Sequence, residues 1–470
     1  MIGELLCNSS KSLLDAMRII NQNAKGVCFV ISDHEQLVGI LTDGDIRRAI
    51  LSGADLNESI ECFVSKDFVY AFQNESIDTI VSRLDRKIRI IPIVDTDYRV
   101  VDYFEYRQSA HFPVSNPTLS GNEFKYLTDA FFSSWISSTG SYIDQFEDKF
   151  SSYSDCVYGV STSNGTTALH LALMVLNIGP GDEVIVPNLT FASTINSVLH
   201  ANATPVIVDI EKDSWCINPN EIERAVTTKT KAIIPVHLYG QPSNMRAIMD
   251  IADRHNLRVI EDCAEAHGAT FQGRKVGGFG DIGCFSFYGN KVITTGEGGM
   301  CVTNNPDLDE KMRILRDHGM SKAKRYWHEQ IGFNYRLTNL QAAIGLAQLE
   351  RIEEIHRNRR LYEDAYRKSL EGKFCFQKDS VNGSRITWLV SALADSPSSR
   401  DSFMEDMHNL GIDVRPFFYP LSEMDIYKKF LRNPAPVSED ISARGFNLPT
   451  YESLKSVENI EKILKDFQKI

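Results

Sequence analysis

Apolar and polar residues follow a repeated order over the first hundred residues of the chain. A helical pattern over residues 12–23 precedes two apolar strand candidates, GVCFVIS and QLVGILT, which are followed by the helix candidate DGDIRRAIL. The order of helix, strand and strand recurs in the segments ESIDTIVSRLDRK, IRIIPIV and YRVVDYF. This repetition predicts an α+β domain over residues 1–108 that is built from two copies of one unit.

Proline and glycine positions indicate where this domain ends. Residues 1–108 contain a single proline, Pro92, whereas the segment HFPVSNPTLSGNE brings Pro113, Pro117 and Gly121 close together. Because these residue types are typical of turns and loops, we expect a linker over residues 109–120.

From about residue 155 onward, short apolar strands alternate with helical segments. The helix candidates are TTALHLALMVLNI and TFASTINSVLHAN, and the strand candidates are VYGVST, EVIVP, PVIVDI, AIIPVHLYG and LRVIED. This alternation predicts an α/β fold with a parallel sheet that is covered by helices on both faces. After residue 340 we expect one long helix, LQAAIGLAQLERIEEIHRNRRLYEDAYRKSL, and then a smaller α/β segment.

Composition and charge exclude several classes of function. The chain has 470 residues with 50 basic and 62 acidic side chains, so its net charge of −12 argues against a nucleic-acid-binding protein. No apolar run approaches the ~20 residues of a membrane helix, and the first residues lack a secretory signal, so we expect a cytoplasmic protein without a membrane partner. The nine cysteines are scattered and show no metal-ligand spacing, which favours reduced, buried thiols and no metal site.

Ligands of open α/β sheets bind at the carboxyl ends of the strands, so the residues there are candidates for chemistry. After VYGV, the segment STSNGTT leads into a helix, where small residues leave backbone N–H groups free to bind an anion. The same segment is also consistent with an ordinary capped helix start. At the end of LRVIED, Glu261 and Asp262 provide two carboxylates, which either take part in chemistry or cap a turn.

A lysine in an unusual setting is the third candidate. Lys291 lies five residues after Ser286 in the glycine-rich segment GDIGCFSFYGNKVITTGEGGMCVT. A lysine in apolar surroundings can lose its charge and become a nucleophilic amine, whereas the alternative is a solvated surface lysine. The segment GFNYRLTN, which contains Asn334, interleaves polar and aromatic residues just before the long helix.

Together these features resemble the pyridoxal-phosphate (PLP) enzymes of the aspartate-aminotransferase fold, fold type I. A strand-end Asp, a Lys 29 residues later, a Ser five residues before that Lys and an early Gly-Thr loop carry the resemblance. In detail the chain is similar to the DegT/StrS sugar-nucleotide aminotransferases in the segments SNGTTALHLAL, GDEVIVPNLTFASTINSV, PVHLYGQP, VIEDCAEAHGA, GDIGCFSFYGNKVITTGEGGM and RYWHEQIGFNYRLTNLQAAIGLAQLERI. The resemblance covers residues 112–470 and implies a large, mostly parallel mixed-sheet domain over 121–355 and a small C-terminal α/β domain over 356–470.

The resemblance also implies roles for individual residues. Lys291 would bind the cofactor covalently and carry a proton between cofactor and substrate, and Asp262 would pair with the pyridinium nitrogen. The phosphate would be held by Gly165, Thr166 and Ser286.

The resemblance implies roles for three further residues. Phe191 would stack on the cofactor ring, although a core aromatic residue fits the pattern nearly as well. Glu265 would contact the ring hydroxyl. Asn334 would reach the cofactor phosphate of the neighbouring subunit, which implies a homodimer or a higher assembly.

Within the family, the segments WISSTGSYIDQFE, EDCAEA and FYGNKVITTGEGGM are most similar to the perosamine-type members. Those enzymes aminate C4 of GDP-4-keto-6-deoxymannose with L-glutamate as the donor, in O-antigen (lipopolysaccharide) or capsule sugar synthesis. Amination of a UDP- or dTDP-linked sugar and 3-amination stay open, because related enzymes share the pattern. Ser422 also stands near the place where perosamine-type enzymes carry a His.

Two other functions on the same scaffold are alternatives to transamination. A related sugar dehydratase would carry a His in place of Lys291. A non-catalytic nucleotide sensor would not need the intact set of Lys291, Asp262 and Ser286. The residues present therefore favour an aminotransferase.

The N-terminal repeat resembles a tandem pair of cystathionine-β-synthase (CBS) domains. The segment GILTDGD carries Thr42 and Asp45, which in that family bind the phosphate and ribose of an adenine-type nucleotide. The second copy ends in VVDYFEYR and lacks both residues. Thr42 and Asp45 are also good helix caps, so a nucleotide effector and a purely structural cap are both consistent with the sequence.

Overall fold

A computed structural model describes residues 2–23, 25–75, 79–80, 83, 88–105, 112–321, 323–379 and 382–452. The chain divides into two compact units, Met1–His111 and Phe112–Ile470. Within the described ranges, no helix is both long enough and apolar enough to cross a membrane.

The N-terminal unit contains two three-stranded sheets of the same topology. In each sheet the middle strand pairs in parallel with the strand before it and antiparallel with the strand after it. The first sheet has β1 (Leu6–Asn8), β2 (Val27–Ile31) and β3 (Leu37–Thr42), and the second has β4 (Ala71–Phe72), β5 (Ile90–Val94) and β6 (Val100–Glu105). The duplication expected from the sequence is therefore present in the strand topology.

Helices of this unit follow the predicted pattern where they are described. The first helix, α1 (Leu13–Asn23), buries Leu13, Ala16 and Ile20, which lie on one helical face. The second, α2 (Asp43–Leu51), begins directly after β3. The helix expected from ESIDTIVSRLDRK falls mostly outside the described residues.

A seven-stranded sheet forms the centre of the C-terminal unit, in the order β7-β15-β14-β11-β10-β8-β9. All neighbouring pairs are parallel except the two made by β15, which runs antiparallel to β14 and β7. The strands are β7 (Tyr158–Thr162), β8 (Glu183–Pro187), β9 (Thr204–Val208), β10 (Thr230–Ile233), β11 (Arg258–Asp262), β14 (Ile282–Ser286) and β15 (Gly299–Thr303). This mixed, mostly parallel sheet confirms the expected fold class.

Helices cover both faces of this sheet, because alternate residues of each strand point to opposite sides. On β8, Val184 and Val186 belong to one apolar core and Ile185 to another. The helices of this part are α3 (Glu123–Phe132), α4 (Ser141–Tyr153), α5 (Gly165–Val175), α6 (Ser193–His200), α7 (Pro219–Ala225), α8 (Met245–His255), α9 (Pro306–Arg316) and α10 (Asn339–Glu350). A small three-stranded sheet joins β12 (Thr270–Phe271), β13 (Arg274–Lys275) and β17 (Gly383–Ser384).

The last part of the chain forms a separate four-stranded antiparallel sheet with its own apolar core. Its strands lie in the order β16-β18-β20-β19. They are β16 (Cys375–Phe376), β18 (Val390–Leu393), β19 (Arg415–Pro416) and β20 (Gly445–Leu448), accompanied by α11 (Ile352–Ser369), α12 (Pro397–Asn409) and α13 (Pro436–Arg444).

The single long helix expected after residue 340 is wrong, because the helix is interrupted at Arg351. The Arg351 N–H donates to the carbonyl of Gln348 three residues earlier, and its guanidinium contacts Glu354 and Glu452. The core beside the large sheet contains α10 and the first turn of α11, with Ile352 and Ile355, whereas the later part of α11 packs on the small sheet through Tyr366.

Candidate active site

A cleft of about 930 Å³ opens at the carboxyl ends of the central strands of the large sheet. Its walls come from the segments that follow β7, β8, β10, β11 and β14, together with residues of the last part of the chain. The residues that line it include Gly165, Thr166, Phe191, Asp262, Glu265, Ser286, Lys291, Trp388, Arg415 and Phe418. Seven of the eight residues expected at the cofactor site, all except Asn334, therefore face one cavity.

Lys291 lies on the floor of this cleft with 12% of its side chain exposed. Its Nζ is 3.9 Å from Oε1 of Glu265 and 4.1 Å from the centroid of the Trp388 ring. Burial lowers the pKa of Lys291 below its ordinary value, although the nearby Glu265 and Asp262 carboxylates oppose this shift. The surroundings therefore make the neutral, nucleophilic amine more accessible than it is at the protein surface.

Asp262 ends β11 and is almost completely buried. Its Oδ2 accepts a hydrogen bond from Thr194 Oγ1 at 2.8 Å, and its Oδ1 accepts one from the Ala264 N–H at 3.2 Å. Burial raises the pKa of Asp262, while these two hydrogen bonds and the Lys291 ammonium act in the other direction. The carboxylate is thus held in a fixed orientation at the edge of the sheet.

Glu265 is buried between the end of β11 and the turn around Tyr239. Its Oε2 accepts a hydrogen bond from the Tyr239 N–H at 2.8 Å. Burial raises the pKa of Glu265 to about 7, against the opposing effects of Lys291 and of the Tyr239 N–H. Glu265 and Lys291 are therefore two neighbouring groups whose protonation states depend on each other.

An anion cradle lies at the start of α5, opposite the end of β14. Asn164 caps this helix by accepting the Thr167 N–H at 2.9 Å, and the first-turn N–H groups of Gly165 and Thr166 have no earlier helical carbonyl to bond. A Cβ at Gly165 would lie 2.8 Å from Cβ of Ser286. Glycine is therefore required where the helix start approaches the Ser286 hydroxyl.

Two predicted cofactor residues occupy less central positions. Phe191 is 59% exposed and lies at the cleft wall, where its ring centroid is 5.7 Å from that of Phe418, so it is not a core aromatic. Asn334 is exposed and its Oδ1 accepts a hydrogen bond from Arg336 Nε at 3.0 Å. Among the described residues that line the cleft of this chain, Asn334 is absent.

Glu261 has a different role from its neighbour Asp262. Successive strand residues point to opposite faces, and the Glu261 carboxylate accepts the N–H groups of Gly277, Phe279 and Gly280 on the far side. His237 also contacts it, at 3.1 Å. Burial alone would raise the pKa of Glu261, but these partners outweigh it and the pKa lies below its ordinary value.

The same carboxylate forms, with His237 and Cys263, a cluster whose polar atoms lie within 4.8 Å of one another. The Ser243 N–H donates to Nδ1 of His237, so Nε2 carries the ring proton and donates to Glu261. Both ring nitrogens of His237 therefore take part in hydrogen bonds, and these bonds explain why His237 and Glu261 lie close together.

Three residues that shape the cleft were not singled out from the sequence. Thr194 orients Asp262, and Tyr239 donates to Glu265. Both stand in segments that carried the family resemblance, so their motifs were a signal. Trp388 lies over Lys291 and donates its indole N–H to the carbonyl of Asn290 at 2.8 Å, but nothing in the local sequence around Trp388 indicated this.

Thr42 and Asp45 form a reciprocal cap at the start of α2. The Thr42 N–H and hydroxyl both donate to Oδ2 of Asp45, at 2.9 and 2.6 Å, and the Asp45 N–H donates to Thr42 Oγ1. Burial alone would raise the pKa of Asp45, but these bonds and Arg48 outweigh it and lower the pKa. The cap considered from the sequence is present, and nucleotide binding by these residues stays a prediction.

The geometry agrees with comparisons to known proteins. The chain matches the DegT/DnrJ/EryC1/StrS aminotransferase family over residues 117–468. It belongs to this family. Residues 4–52, the first N-terminal repeat, match the CBS domain.

Individual family members align over nearly their whole length. The GDP-perosamine synthase of Escherichia coli O157:H7 is 44% identical over 347 residues, which cover 74% of this chain and 95% of that protein. The UDP-N-acetyl-3-dehydro-alpha-D-glucosamine 3-aminotransferase of Acidithiobacillus ferrooxidans is 38% identical over 358 residues, 75% of this chain and 94% of that protein. The PLP form of an aminotransferase from Streptococcus pneumoniae superposes with a TM-score of 0.72 at 27% identity, over 76% of this chain and 97% of that one.

This DegT-family chain is a PLP-dependent aminotransferase. When bound, PLP supplies an aldehyde that takes up an amino group and a ring that withdraws electrons from the reacting carbon. The cleft fits that cofactor in its donor set: a buried lysine, a strand-end carboxylate, and a helix start that glycine keeps open beside a serine hydroxyl.

Proposed function

We propose that this enzyme transfers an amino group from L-glutamate to C4 of a nucleotide-linked 4-keto-6-deoxy sugar, converting GDP-4-keto-6-deoxymannose to GDP-perosamine. The observation that supports this substrate is the 44% identity to a GDP-perosamine synthase over 95% of that protein. The cleft supports the chemistry, because a buried amine and two carboxylates converge in it.

In this proposal each residue of the cleft has one task. Lys291 holds the cofactor and moves a proton at its Nζ, between the reacting carbons. Asp262 keeps the ring nitrogen protonated through its buried carboxylate. Gly165, Thr166 and Ser286 hold the phosphate, with backbone N–H groups and hydroxyls as donors.

Ser422 bears on the substrate because it stands near the place where perosamine-type enzymes carry a His. Its Oγ accepts a hydrogen bond from Asn188 Nδ2 at 2.9 Å, and its N–H donates to Oδ1 of the same residue at 2.9 Å. Ser422 is not among the described residues that line the cleft. In our proposal it fixes the segment after Phe418 against the end of β8, and other residues recognise the sugar.

The test of this function is product identification by mass spectrometry. Purified enzyme with PLP and L-glutamate is given GDP-4-keto-6-deoxymannose or a UDP- or dTDP-linked 4-keto sugar, with Lys291→Ala as the inactive control. A GDP-linked amino sugar, with the amine placed at C4 by NMR, is the expected product. Turnover only of a UDP- or dTDP-linked sugar, or an amine at C3, would overturn the proposed substrate while leaving the cofactor chemistry intact.

We further propose that the active unit is a homodimer in which Asn334 serves the cleft of the partner subunit. Asn334 is exposed and lies outside the cleft of its own chain. Large apolar side chains are also exposed on and after α3, as is typical of a surface that a partner covers. They are Phe124, Phe131, Phe132 and Trp135.

Mixing two inactive variants tests this assembly. Asn334→Ala and Lys291→Ala each destroy one component of a shared site, so a mixed dimer keeps one intact site. Random reassortment should therefore restore about a quarter of the wild-type activity. Mixtures that stay inactive after confirmed subunit exchange would show that Asn334 does not act across an interface.

The N-terminal unit is predicted to bind a nucleotide that regulates activity or assembly. A ligand at Thr42 and Asp45 must compete with the cap that these residues form with each other and with Arg48. Titration calorimetry of the full chain with AMP, ATP, GDP and GTP should show a heat that Asp45→Asn removes. Asp43→Asn, which loses a surface ion pair with Arg47, is the matched control.

The adenine nucleotides separate this site from the cleft, where a guanine nucleotide could bind as part of the substrate. A heat with GDP or GTP that persists in Asp45→Asn would be assigned to the cleft. No Asp45-dependent heat with any of the four nucleotides would contradict the prediction.

A further inference from the structure

Tyr239 has a backbone conformation that its residue type rarely adopts. It is fully buried, and its φ of 52° and ψ of 29° lie in the left-handed region. A non-glycine residue keeps this conformation only when its surroundings enforce it, and such residues cluster at functional sites. The contacts of Tyr239 show what enforces it and what it supports.

Aromatic rings from the last part of the chain hold Tyr239 in place. Its ring is nearly parallel to those of Trp388, at 6.1 Å and 20°, and Phe418, at 5.6 Å and 26°, and it packs on Phe417 at 4.7 Å. Its hydroxyl oxygen accepts the Phe418 N–H at 3.2 Å. The turn around Tyr239 is therefore fixed by both its ring and its hydroxyl.

Tyr239 contacts both groups that flank the amine of Lys291. Its N–H donates to Oε2 of Glu265, whose Oε1 lies 3.9 Å from Nζ of Lys291. Its ring stacks on Trp388, whose own ring is 4.1 Å from the same Nζ. The left-handed backbone is what directs the N–H to the carboxylate while the ring points to the tryptophan.

We infer that Tyr239 is a positioning residue for Lys291: it orients Glu265 through its N–H and Trp388 through its ring, and so sets the charge around the reactive amine. This role rests on the proposed function of Lys291 but not on the identity of the sugar. Tyr239 itself contacts neither cofactor nor substrate in this scheme.

The sign of the effect follows from the charges that face Lys291. The ionised carboxylates of Glu265 and Asp262 raise the pKa of Lys291, whereas His267 is buried and neutral because burial lowers its pKa to about 3. The Tyr239 N–H favours the ionised form of Glu265. The donor is a backbone N–H, so it is withdrawn only when the turn shifts after the ring that holds it is lost. Glu265 then becomes protonated at higher pH, and the pKa of Lys291 falls because a neighbouring anion is lost.

The test measures protonation of the Lys291 amine in the full chain without cofactor. Trinitrobenzenesulfonate labelling at a series of pH values, read at the Lys291 peptide by mass spectrometry, gives a midpoint for each variant. Tyr239→Leu should lower the midpoint by about one pH unit, and Tyr239→Phe, which keeps ring and turn, should stay near the wild-type value. Tyr366→Leu removes another fully buried tyrosine, in the small-sheet core, and should leave the midpoint unchanged.

A second background separates the proposed route from a general loosening of the fold. In Glu265→Gln, whose side chain does not ionise, Tyr239→Leu should produce at most a small further shift. An unchanged midpoint in folded Tyr239→Leu, an equal shift in the Glu265→Gln background, or an equal shift in Tyr366→Leu would each overturn the inference. Circular dichroism establishes folding first, and Tyr239→Met, which keeps more volume, replaces a Tyr239→Leu chain that does not fold.

Discussion

Replacement of Lys291 by alanine is expected to lower transamination by about four orders of magnitude or more, because one amine serves two functions. Among the described residues that line the cleft, Lys291 carries the only primary amine. In our proposal its loss removes both the covalent hold on the cofactor and the group that moves a proton at the reacting carbon. Mass spectrometry after borohydride treatment measures the first effect, since only the wild type should retain the mass of the cofactor. Product formation under saturating glutamate and keto sugar measures the combined loss.

Lys275→Ala is the matched control for this experiment. Lys275 is also partly buried, its Nζ donates to the carbonyl of Tyr153 at 2.6 Å, and burial lowers its pKa as it does for Lys291. It does not line the cleft. We expect Lys275→Ala to keep its activity, and Lys291→Ala activity within tenfold of the wild type would contradict the role assigned to the lysine.

Five of the seven strands of the large sheet, β7 to β11, could be predicted because each contains a short run of mainly apolar residues. All five residues of β8 are buried, as expected for a parallel strand covered on both faces. The reversed direction of β15 could not be predicted in this way. Its residues Gly299–Thr303 are equally buried, so the pattern is the same whichever way the strand runs.

The interruption at Arg351 shows a similar limit of periodicity. The apolar positions before and after it continue at helical spacing, so the sequence favours one helix over the whole segment. The interruption is accompanied by tertiary contacts instead: Arg351 is tied to Glu452, 101 residues away, and the later part of α11 packs on a different core from α10. Contacts at that separation leave no local signal.

The residues of the cleft could be predicted where they stand at the ends of strands. Asp262 and Ser286 end adjacent parallel strands, and Gly165 begins the helix after β7, so the topology brings them to one edge. Trp388 is different, because it reaches Lys291 from the part of the chain next to the small sheet. Its position depends on how that part packs on the large sheet, which no motif describes.

Thr42 and Asp45 illustrate a motif with two physical meanings. A hydroxyl and a carboxylate three residues apart at a helix start satisfy each other in this chain. The same two groups are those that a nucleotide would use. The sequence predicts where they lie, and only a binding measurement decides between the two uses.

Asp262→Asn is expected to lower activity by about 10²–10³-fold while stabilising the protein that lacks cofactor. The substitution keeps the shape of the side chain and one oxygen, which can accept from Thr194 Oγ1 but then leaves the Ala264 N–H without its acceptor. It also removes the negative charge that we propose keeps the cofactor ring nitrogen protonated. Steady-state product formation checks the loss of activity. Because the defect lies in charge, the variant should still bind cofactor, which its absorption spectrum can establish.

The gain in stability follows from the direction of the Asp262 pKa. Burial raises this pKa in the folded chain. At a pH between the pKa of the unfolded chain and that of the folded chain, the folded state therefore binds more protons than the unfolded state. Stability therefore falls as the pH rises through that window, and the buried charge lowers stability at every pH above it. Asparagine carries no charge to bury, so the melting temperature of the cofactor-free variant at pH 7 should exceed that of the wild type.

Asp281→Asn is the control: this residue lies at the opposite edge of the sheet and loses an ion pair with Arg258, so activity should persist without any gain in stability. An Asp262→Asn enzyme that is both fully active and no more stable would show that the strand-end carboxylate has neither the catalytic role nor the energetic penalty assigned to it.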